Sequence, residues 1–338
     1  MMREIRRVAA VIAAMLAVTA SAQRIDIIWP TPHPAFDEGK PASKFLQEAG
    51  SGDPASGGFG GVRSAGRQFH EGIDIQAVNR NRRGEATDPV MAAMDGVVRY
   101  VNPSSGDSSY GRYIVLEHPG MAPAVFSLYA HLAAVDSRIR AGDSVRRGQV
   151  IGTMGRSANY RIPPNRAHLH FEMGLRMTND FQSWFEWKKF GSPNPHGVYN
   201  GMNLMGFDPL DFLQAYRARK VDNFRDYFGQ MKPVVTLRIA TKKSPDFTER
   251  YPALVTRHLP MLIAGWEISF NWSGLPFRWT PVDATVVRGM STGEVKVVHY
   301  DQAADEADQS KQLVRKSRGQ WVPDNDLETV LQLLFKRR

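Results

Sequence analysis

The sequence predicts a mainly β fold with two domains. Between residues 69 and 173, short runs of strand-forming residues alternate with turn dipeptides such as Gly142-Asp143. Many short strands at this spacing are typical of an antiparallel sheet that folds on itself as a sandwich or barrel. The composition changes after Lys232, so a second, smaller domain of α+β or mainly β type is predicted at 232–338. With 338 residues, the chain is long enough for both domains.

Local residue patterns predict the individual strands and loops. The Gly-, Ser- and Pro-rich stretch 48–66 predicts a loop, and the aromatic-rich stretch 175–206 predicts a long ordered excursion. Apolar runs bounded by turn residues predict strands at 25–29, 97–101, 113–117, 125–131, 149–154, 167–173, 234–241, 265–270, 284–287 and 294–300.

Capping signals predict two helices. Asp208 is suited to the N-cap position and Pro209 to the first helical position, which predicts a helix over 208–227. Asn325, with Glu328 three positions later, has the spacing of a capping box and predicts a helix at the end of the chain.

The composition excludes several classes of site. The chain has no cysteine, which rules out disulfides, Cys-ligated zinc, iron–sulfur clusters and a Cys nucleophile. A catalytic metal ion would therefore need His, Asp or Glu ligands. The formal charge is +9, from 43 basic and 34 acidic residues, and this excess predicts an anionic partner.

The first residues predict a signal peptide at 1–22, followed by an N-terminal extension at 23–56. A basic start is followed by the apolar run 8–18 and by Ala20-Ser21-Ala22, a small-x-small cleavage pattern. The apolar run is about half of the ~20 residues that a membrane span needs, so no span is expected after cleavage. The protein is thus expected in the periplasm or at the cell wall, where its anionic partner would be an envelope polymer and not nucleic acid.

A His-x-His pair lies on the last predicted strand of the first domain. Strand alternation places Leu169 and Phe171 on one face and His168, His170 and Glu172 on the other. Two imidazoles therefore project side by side, with a carboxylate that could lie behind them. A single pair of this kind is more often a surface feature than a metal site.

A second polar face is predicted near the start of the same domain. Ile73 and Ile75 share one face, so His70 and Asp74 lie on the opposite one, and Gly72 leaves room for a close approach to the backbone. One imidazole of the His-x-His pair would complete a set of three protein ligands with one position open to water. That is the arrangement of catalytic zinc sites. The spacing does not decide which imidazole of the pair binds, and a simple His–Asp pair on an exposed face is the alternative interpretation.

A third polar face is predicted on the strand 125–131. Phe126, Leu128 and Ala130 are expected to face inward, so that Tyr129 and His131 project together from the polar face. Three such faces on separate strands, each backed by apolar residues, favour one shared site. The other five histidines are not assigned to the site, and the one before a Pro-Gly pair, His118, is interpreted as a turn residue.

Four segments in this order resemble the lysostaphin/LytM-type zinc endopeptidases that cut peptidoglycan peptides. They are HEGID at 70–74, YAHL at 129–132, GDSVRRGQVIG at 142–152 and HLHFE at 168–172. Supporting segments at 59–63, 89–98, 110–115 and 207–209 extend the resemblance to roughly 57–212. The stretch 175–206 is longer than the usual link of the family, and the residues after about 220 have no counterpart in it.

The resemblance implies a duplicated hybrid motif catalytic domain, placed at 57–228, with one zinc ion per chain. By position, His70, Asp74 and His170 would bind zinc, while His131 and His168 would be catalytic histidines that do not ligate the metal. The expected substrate is a peptide of peptidoglycan, and the second domain is a candidate contact for an envelope protein partner.

Two other functions are compatible with parts of this pattern. Relatives of this fold can lose catalysis and activate other wall hydrolases, but here every expected ligand is present. The glycine-rich hairpin 142–152 also resembles that of a biotinyl or lipoyl carrier. A carrier needs a lysine at the hairpin tip, whereas this hairpin has Arg146-Arg147.

Overall fold

The structure is a computed structural model that describes residues 24–256, 262–308 and 310–337. The predicted signal peptide lies outside these residues. Among the helices of the described ranges, none has the length and apolar character needed to cross a bilayer.

Short strands dominate the chain, as the sequence predicts. In chain order they are β1 Gly60–Arg63, β2 Gln68–His70, β3 Ile73–Gln76, β4 Pro89–Met91, β5 Gly96–Asn102, β6 Tyr113–Glu117, β7 Phe126–Ala130, β8 Ala134–Val135, β9 Ser144–Val145, β10 Val150–Thr153, β11 His168–Arg176, β12 Leu204–Phe207, β13 Val235–Ala240, β14 Gly265–Phe270, β15 Pro276–Val282, β16 Val295–Tyr300, β17 Val314–Ser317 and β18 Gln320–Pro323. The α-helices are α1 Phe181–Lys188, α2 Pro209–Arg217, α3 Phe224–Gln230, α4 Asp246–Arg250, α5 Gln302–Glu306 and α6 Asn325–Phe335.

The first half of the chain is built on antiparallel sheets, which confirms the predicted fold class. The largest sheet has the order β12-β11-β7-β6-β5-β9, and β3 pairs with the first part of β11. A three-stranded sheet, β4-β10-β8, and the hairpin β1-β2 complete this half. Because β11 is hydrogen-bonded to β3, β7 and β12, it is the central strand around which the others are arranged.

Both faces of the largest sheet are buried, but by different residues. On one face Leu169 and Phe171 join the main hydrophobic core. On the other face Leu128 and Ala130 belong to a smaller cluster that includes Tyr113. The sheet thus presents two different environments, and the histidines of β11 lie on the face of the smaller cluster.

Two predicted elements of the N-terminal region differ in the structure. Residues 25–29 form no strand, although Ile27 and Trp29 are buried in the core. The backbone there makes isolated hydrogen bonds, such as the one from the Ile28 amide to the Ala93 carbonyl oxygen. These bonds do not form the regular ladder of a β-sheet. The predicted loop 48–66 includes a short 3₁₀ helix at Pro54–Gly57 and the strand β1.

The helix predicted over 208–227 is two helices. Asp208 caps α2 as expected, accepting bonds from the backbone amides of Leu210 and Asp211, with Pro209 in the first turn. The helix ends near Arg219, whose φ of 56° is left-handed, and α3 begins after the new N-cap Asn223. A second capping site therefore divides what the sequence pattern joined.

The second half contains the antiparallel sheet β15-β14-β13-β16. Three of its strands match the predicted ones, but 284–287 forms a turn instead. The missed strand β15 contains Pro276 and Pro281, which argue against a strand in sequence, and it lies at the edge of the sheet where proline is tolerated. The last helix, α6, is capped by Asp324, one residue earlier than predicted. The domain boundaries at 57–228 and 232–338 stay a prediction.

The excursion 175–206 is ordered, as expected. It contains α1, whose Phe181, Trp184 and Phe185 are buried. The Trp184 indole N–H donates to Gln332 Oε1 at 3.2 Å, which joins α1 to α6 of the second half. Farther along, Tyr199 stacks on Tyr100 with 5.8 Å between the ring centroids. Trp184 of this stretch therefore joins the two halves, whereas Tyr199 packs within the first half.

The second half also contacts the β1-β2 hairpin. Trp272 lies 5.6 Å from the Phe59 ring and 6.1 Å from the Phe69 ring, centroid to centroid. Asp308 accepts a hydrogen bond from the Gly61 amide at 3.1 Å, and the Lys311 ammonium lies 4.2 Å from the centroid of Phe69. These contacts hold the hairpin from outside.

Gly72 is predicted to be essential for the approach of β3 to β11. A Cβ atom there would lie 2.4 Å from the Phe171 carbonyl oxygen and 2.8 Å from Glu172 Cγ. We expect Gly72→Ala to lower the free energy of unfolding by about 1–3 kcal/mol, because the backbone of β11 must move. Urea denaturation measures this, with Gly120→Ala as the control, since a Cβ at Gly120 meets nothing within 4 Å. Equal losses in the two variants would contradict the packing described here.

His118 is part of the core and more than a turn residue. Its Nδ1 lies 2.7 Å from the Asp95 carbonyl oxygen and its Nε2 lies 2.8 Å from Ser127 Oγ. Burial lowers the pKa of His118 to about 4, because the charged imidazolium would lose its water.

The low pKa of His118 predicts a pH-dependent stability. Between pH 6.5 and pH 4 the unfolded chain binds a proton at His118 that the folded chain does not, so stability falls as the pH falls. We expect the unfolding free energy of the wild type to drop about 2 kcal/mol more than that of His118→Gln between pH 7 and pH 5. Urea titrations at both pH values check this, and parallel losses would refute it.

Candidate metal centre

Three predicted ligands converge in the structure. Strand pairing places Asp74 of β3 directly opposite His170 of β11, so both side chains lie on the same face of the sheet. His70, at the end of β2, joins them from the hairpin. Asp74 Oδ1 lies 3.0 Å from His170 Nδ1 and 3.2 Å from His70 Nε2, and the two ring nitrogens are 3.0 Å apart. All three residues are buried.

The remaining ring nitrogens of these two histidines are already engaged. His70 Nδ1 lies 2.6 Å from the Gly58 carbonyl oxygen, which can only accept, so Nδ1 carries a proton and Nε2 is free. His170 Nε2 lies 2.8 Å from Glu172 Oε1, which also accepts a bond from the Tyr110 hydroxyl at 2.6 Å. A carboxylate behind a ligating histidine is typical of metal sites, where it fixes the ring and makes it more basic.

Asp74 is held by a cation on its outer side. The Arg63 guanidinium contacts Asp74 Oδ2, and Arg63 Nε donates to the Ser56 carbonyl oxygen at 3.2 Å. The other oxygen, Oδ1, thereby faces the histidines. Asp74 is thus oriented to offer one oxygen to a shared cation.

The two remaining histidines lie beside this cluster. The ring centroid of His131 is 4.7 Å from that of His168 and 5.7 Å from that of His170. His131 Nδ1 lies 2.9 Å from the Ser157 carbonyl oxygen, and His168 Nδ1 lies 2.7 Å from the Arg166 carbonyl oxygen. Since carbonyl oxygens only accept, each Nδ1 is protonated and each Nε2 keeps its lone pair.

The predicted pairing of Tyr129 with His131 is wrong. Tyr129 lies on the core face of β7 against Phe171, whereas Leu128 and Ala130 share the face of the histidines. Strict alternation would send residue 131 to the core with Tyr129. Instead the strand ends at Ala130, and His131 has a left-handed φ of 61°, which turns its side chain back to the site.

Burial and charge set the protonation of the cluster. Burial opposes ionisation of Asp74, but the neighbouring imidazoles of His168, His70 and His170 hold its pKa well below the usual range. Burial also disfavours the imidazolium of His170, yet the hydrogen bonds with Asp74 and Glu172 raise the pKa of His170 to about 9.

The pKa values of the other two histidines, His131 and His168, are lowered instead. Burial lowers the pKa of His131 well below its usual value, and charge on His168 and His170 lowers it further. Burial also lowers the pKa of His168 against the attraction of Asp74. Both imidazoles are therefore neutral at pH 7 and can accept a proton at Nε2.

The site opens into a cleft of about 540 Å³. Asp74, His131 and His168 line its inner wall, and the outer wall includes Tyr160 and loop residues of 49–65. His70 and His170 lie behind Asp74. A substrate in the cleft would thus meet His131 and His168 directly.

The donor set suits a divalent cation. Among the described residues, one group of three or more His, Cys, Asp or Glu brings its ligand atoms within 4.8 Å of one another, and it is His70, Asp74 and His170. Two imidazoles and a carboxylate are ligands that zinc accepts, and three protein ligands leave a fourth position for water. Every other polar atom of these three side chains is engaged by the protein.

Sequence reasoning missed several residues that shape this site. Arg63 and Tyr110 were noted only in supporting segments, yet they contact Asp74 and Glu172. Tyr160, Arg161 and the side chain of Arg166 line the cleft but were not singled out. Their position just before the His-x-His strand is the one signal in the sequence that could have indicated them.

Comparison with known proteins agrees with this site. Residues 68–181 match the profile of Peptidase family M23. This segment is therefore similar to the domains of that family. It includes all five predicted site residues, which are His70, Asp74, His131, His168 and His170. No curated protein matches the chain.

Several solved structures are similar to part of this chain. A zinc-containing peptidase from Vibrio cholerae is 27% identical with a TM-score of 0.24, over 31% of this chain and 26% of that one. The lysostaphin catalytic domain from Staphylococcus simulans is 22% identical, with a TM-score of 0.29, over 46% and 89%. The catalytic domain of the M23 protein EnpA from Enterococcus faecalis is 25% identical, with a TM-score of 0.28, over 38% and 86%. The chain thus spans about a quarter of the Vibrio cholerae peptidase.

Glu172 is predicted to strengthen metal binding through His170. We expect Glu172→Gln to weaken zinc binding by about 10- to 100-fold, because the ring of His170 loses its charged partner. Competition with a fluorescent chelator measures the affinity. Glu117→Gln is the control, since Glu117 pairs with Arg99 at a distance from the site. Wild-type affinity in Glu172→Gln would show that the carboxylate does not act on the metal site.

Proposed function

We propose that this protein is an exported zinc metalloendopeptidase that hydrolyses peptide bonds in peptidoglycan stem peptides or cross-links. The observation that carries the proposal is the convergence of His70, Asp74 and His170 on one point, with two neutral histidines beside it. The match of residues 68–181 to Peptidase family M23 supports the same conclusion.

His70 Nε2, Asp74 Oδ1 and His170 Nδ1 are the atoms that would hold one zinc ion. When bound, zinc lowers the pKa of water from 15.7 to about 7 and polarises the scissile carbonyl group. Arg63 keeps Asp74 in place, and Glu172 keeps His170 in place. The protein thereby fixes the ligands before the substrate arrives.

His131 and His168 would move the protons. Each imidazole is anchored through Nδ1 to a backbone carbonyl oxygen, so its Nε2 is directed away from that anchor with little freedom to rotate. Because both are neutral, either can take a proton from the attacking water and deliver it to the leaving amine. Such proton transfer typically contributes about 10²–10⁴-fold in rate.

A catalytically silent envelope factor is the second candidate, because proteins with this fold can bind without cleaving. An assay of substrate cleavage distinguishes the zinc endopeptidase from the silent envelope factor. A silent factor would bind peptidoglycan and release no fragments, whereas the proposed enzyme releases fragments that a chelator abolishes. In either case the second half of the chain is the candidate surface for an envelope partner.

Two histidine variants test the proposed roles. We expect His170→Ala to lose both zinc and activity, because a ligand is removed. His131→Ala should keep its zinc and lose about 10²–10⁴-fold in rate, because only the proton carrier is removed. Metal content is measured by elemental analysis, and cleavage by mass spectrometry of fragments released from purified peptidoglycan with and without a chelator.

The matched control is His299→Ala, an exposed histidine of the second half. It should retain both zinc and activity. Full zinc content in His170→Ala would overturn the ligand assignment, and full activity in His131→Ala would overturn the catalytic one. If the wild-type protein releases no fragments, the catalytically silent envelope factor becomes the favoured function.

A further inference from the structure

The positive charge of the cleft favours substrates that carry an anionic group. Three arginines, Arg63, Arg161 and Arg166, line it together with the site residues. Its other walls are mostly small and polar, with Val62, Ile162 and the ring of Tyr160 as the larger apolar contributions. A cleft of this kind offers little to an apolar side chain and much to an anionic one.

The three arginines are not equally available. Arg63 is engaged by Asp74 and by the Ser56 carbonyl oxygen. Arg161 is exposed, and its guanidinium makes no hydrogen bond or ion pair with any residue in the described ranges. A guanidinium at the edge of a catalytic cleft with all its donors free is suited to bind a ligand.

Arg166 follows Arg161 after four residues and is half-buried. Its Nε is buried, and among the described residues it has no hydrogen-bond partner. One of its terminal nitrogens lies close to Gly50. The charge of Arg166 also contributes to lowering the pKa of Glu48. The Glu48 carboxylate itself accepts bonds from the Gly50 and Gly52 amides, so it is only partly available to neutralise Arg166.

Acidic residues do not cancel the positive charge of the cleft. Its two acidic lining residues are Asp53 and Asp74. Asp53 accepts a bond from the Ala55 amide at the start of the short 3₁₀ helix, and Asp74 belongs to the metal-site cluster and contacts Arg63. The guanidinium of Arg161 is therefore left without a countercharge in the cleft that His131 and His168 also line.

We propose that the cleft recognises a free carboxylate next to the scissile amide, with Arg161 as its main partner and Arg166 as the second. This inference rests on the proposed function and deepens it. Arginine binds a carboxylate through two parallel N–H···O bonds, which fixes both its position and its orientation. The matching substrate is a D-alanyl–diaminoacyl cross-link whose amine-side carbon carries a carboxylate. A glycine bridge has no such group at its internal bonds.

The test compares two cross-linked peptides that differ in one group. In one, the diaminoacyl carbon beside the scissile amide carries a free carboxylate, and in the other it carries a carboxamide of the same shape. We expect the wild type to cleave the free form with a kcat/KM about 10- to 100-fold higher, since a charge-assisted pair is lost in the amide. A pentaglycine peptide should be cleaved no better than the amidated form.

Variants assign the preference to the arginines. Arg161→Gln should bring the ratio of the two kcat/KM values to within about threefold, and Arg161→Lys should give an intermediate ratio because it keeps the charge but loses the planar fork. Arg166→Gln should lower the ratio by less than Arg161→Gln does. Arg225→Gln, an exposed arginine of α3, is the matched control and should keep the wild-type ratio. Thermal melts verify that each variant is folded.

The outcomes separate this inference from the proposed function. Equal cleavage of both peptides, or a preference for pentaglycine, overturns carboxylate recognition and leaves the peptidase intact. Loss of preference in Arg225→Gln as well would show general attraction by net charge and also overturn it. If no peptide is cleaved, the proposed function fails. Calorimetry with the two uncleaved peptides then decides, and tighter binding of the free carboxylate that depends on Arg161 supports the site.

Discussion

The antiparallel pairing of β3 with β11 is the constraint on which the site depends. It sets Asp74 opposite His170 on one face of the sheet, and the pairing of β7 with β11 brings Ala130, and therefore His131, to the other side of the same strand. A slip of one residue in either ladder would send the affected side chains to the core face. Gly72 permits this register, because no larger residue fits between the strands.

Support for the site comes from parts of the chain that are distant in sequence. The hairpin β1-β2 contains Arg63 and His70. Trp272 and Asp308 of the second half contact this hairpin and the residue before it. The Gly58 carbonyl oxygen sets the tautomer of His70. Because the core is continuous between the two halves, the second half stabilises the geometry of the candidate metal site.

Burial has a double effect in this cleft. It removes water from His131 and His168 and keeps them neutral, while the carboxylates of Asp74 and Glu172 keep a positive charge favourable at His170. Neighbouring imidazoles of one chemical type thus differ in how readily they take up a proton, because their surroundings differ. The arginines at the outer wall add a fixed positive charge that a neutral substrate could not use.

Local patterns in the sequence indicate which residues can act and on which strands they lie. The alternation of β11 correctly placed His168, His170 and Glu172 together, because strand periodicity is a local property of the backbone. That these strands meet, and that Arg63 contacts Asp74 while Glu172 contacts His170, depends on long-range packing that a local pattern does not show. It also reversed the predicted faces of β7, since both faces of that strand are buried and hydrophobicity alone cannot orient it. Which nitrogen of His131 is free depends on the carbonyl oxygen of Ser157, 26 residues away, and a sequence pattern does not encode that proximity.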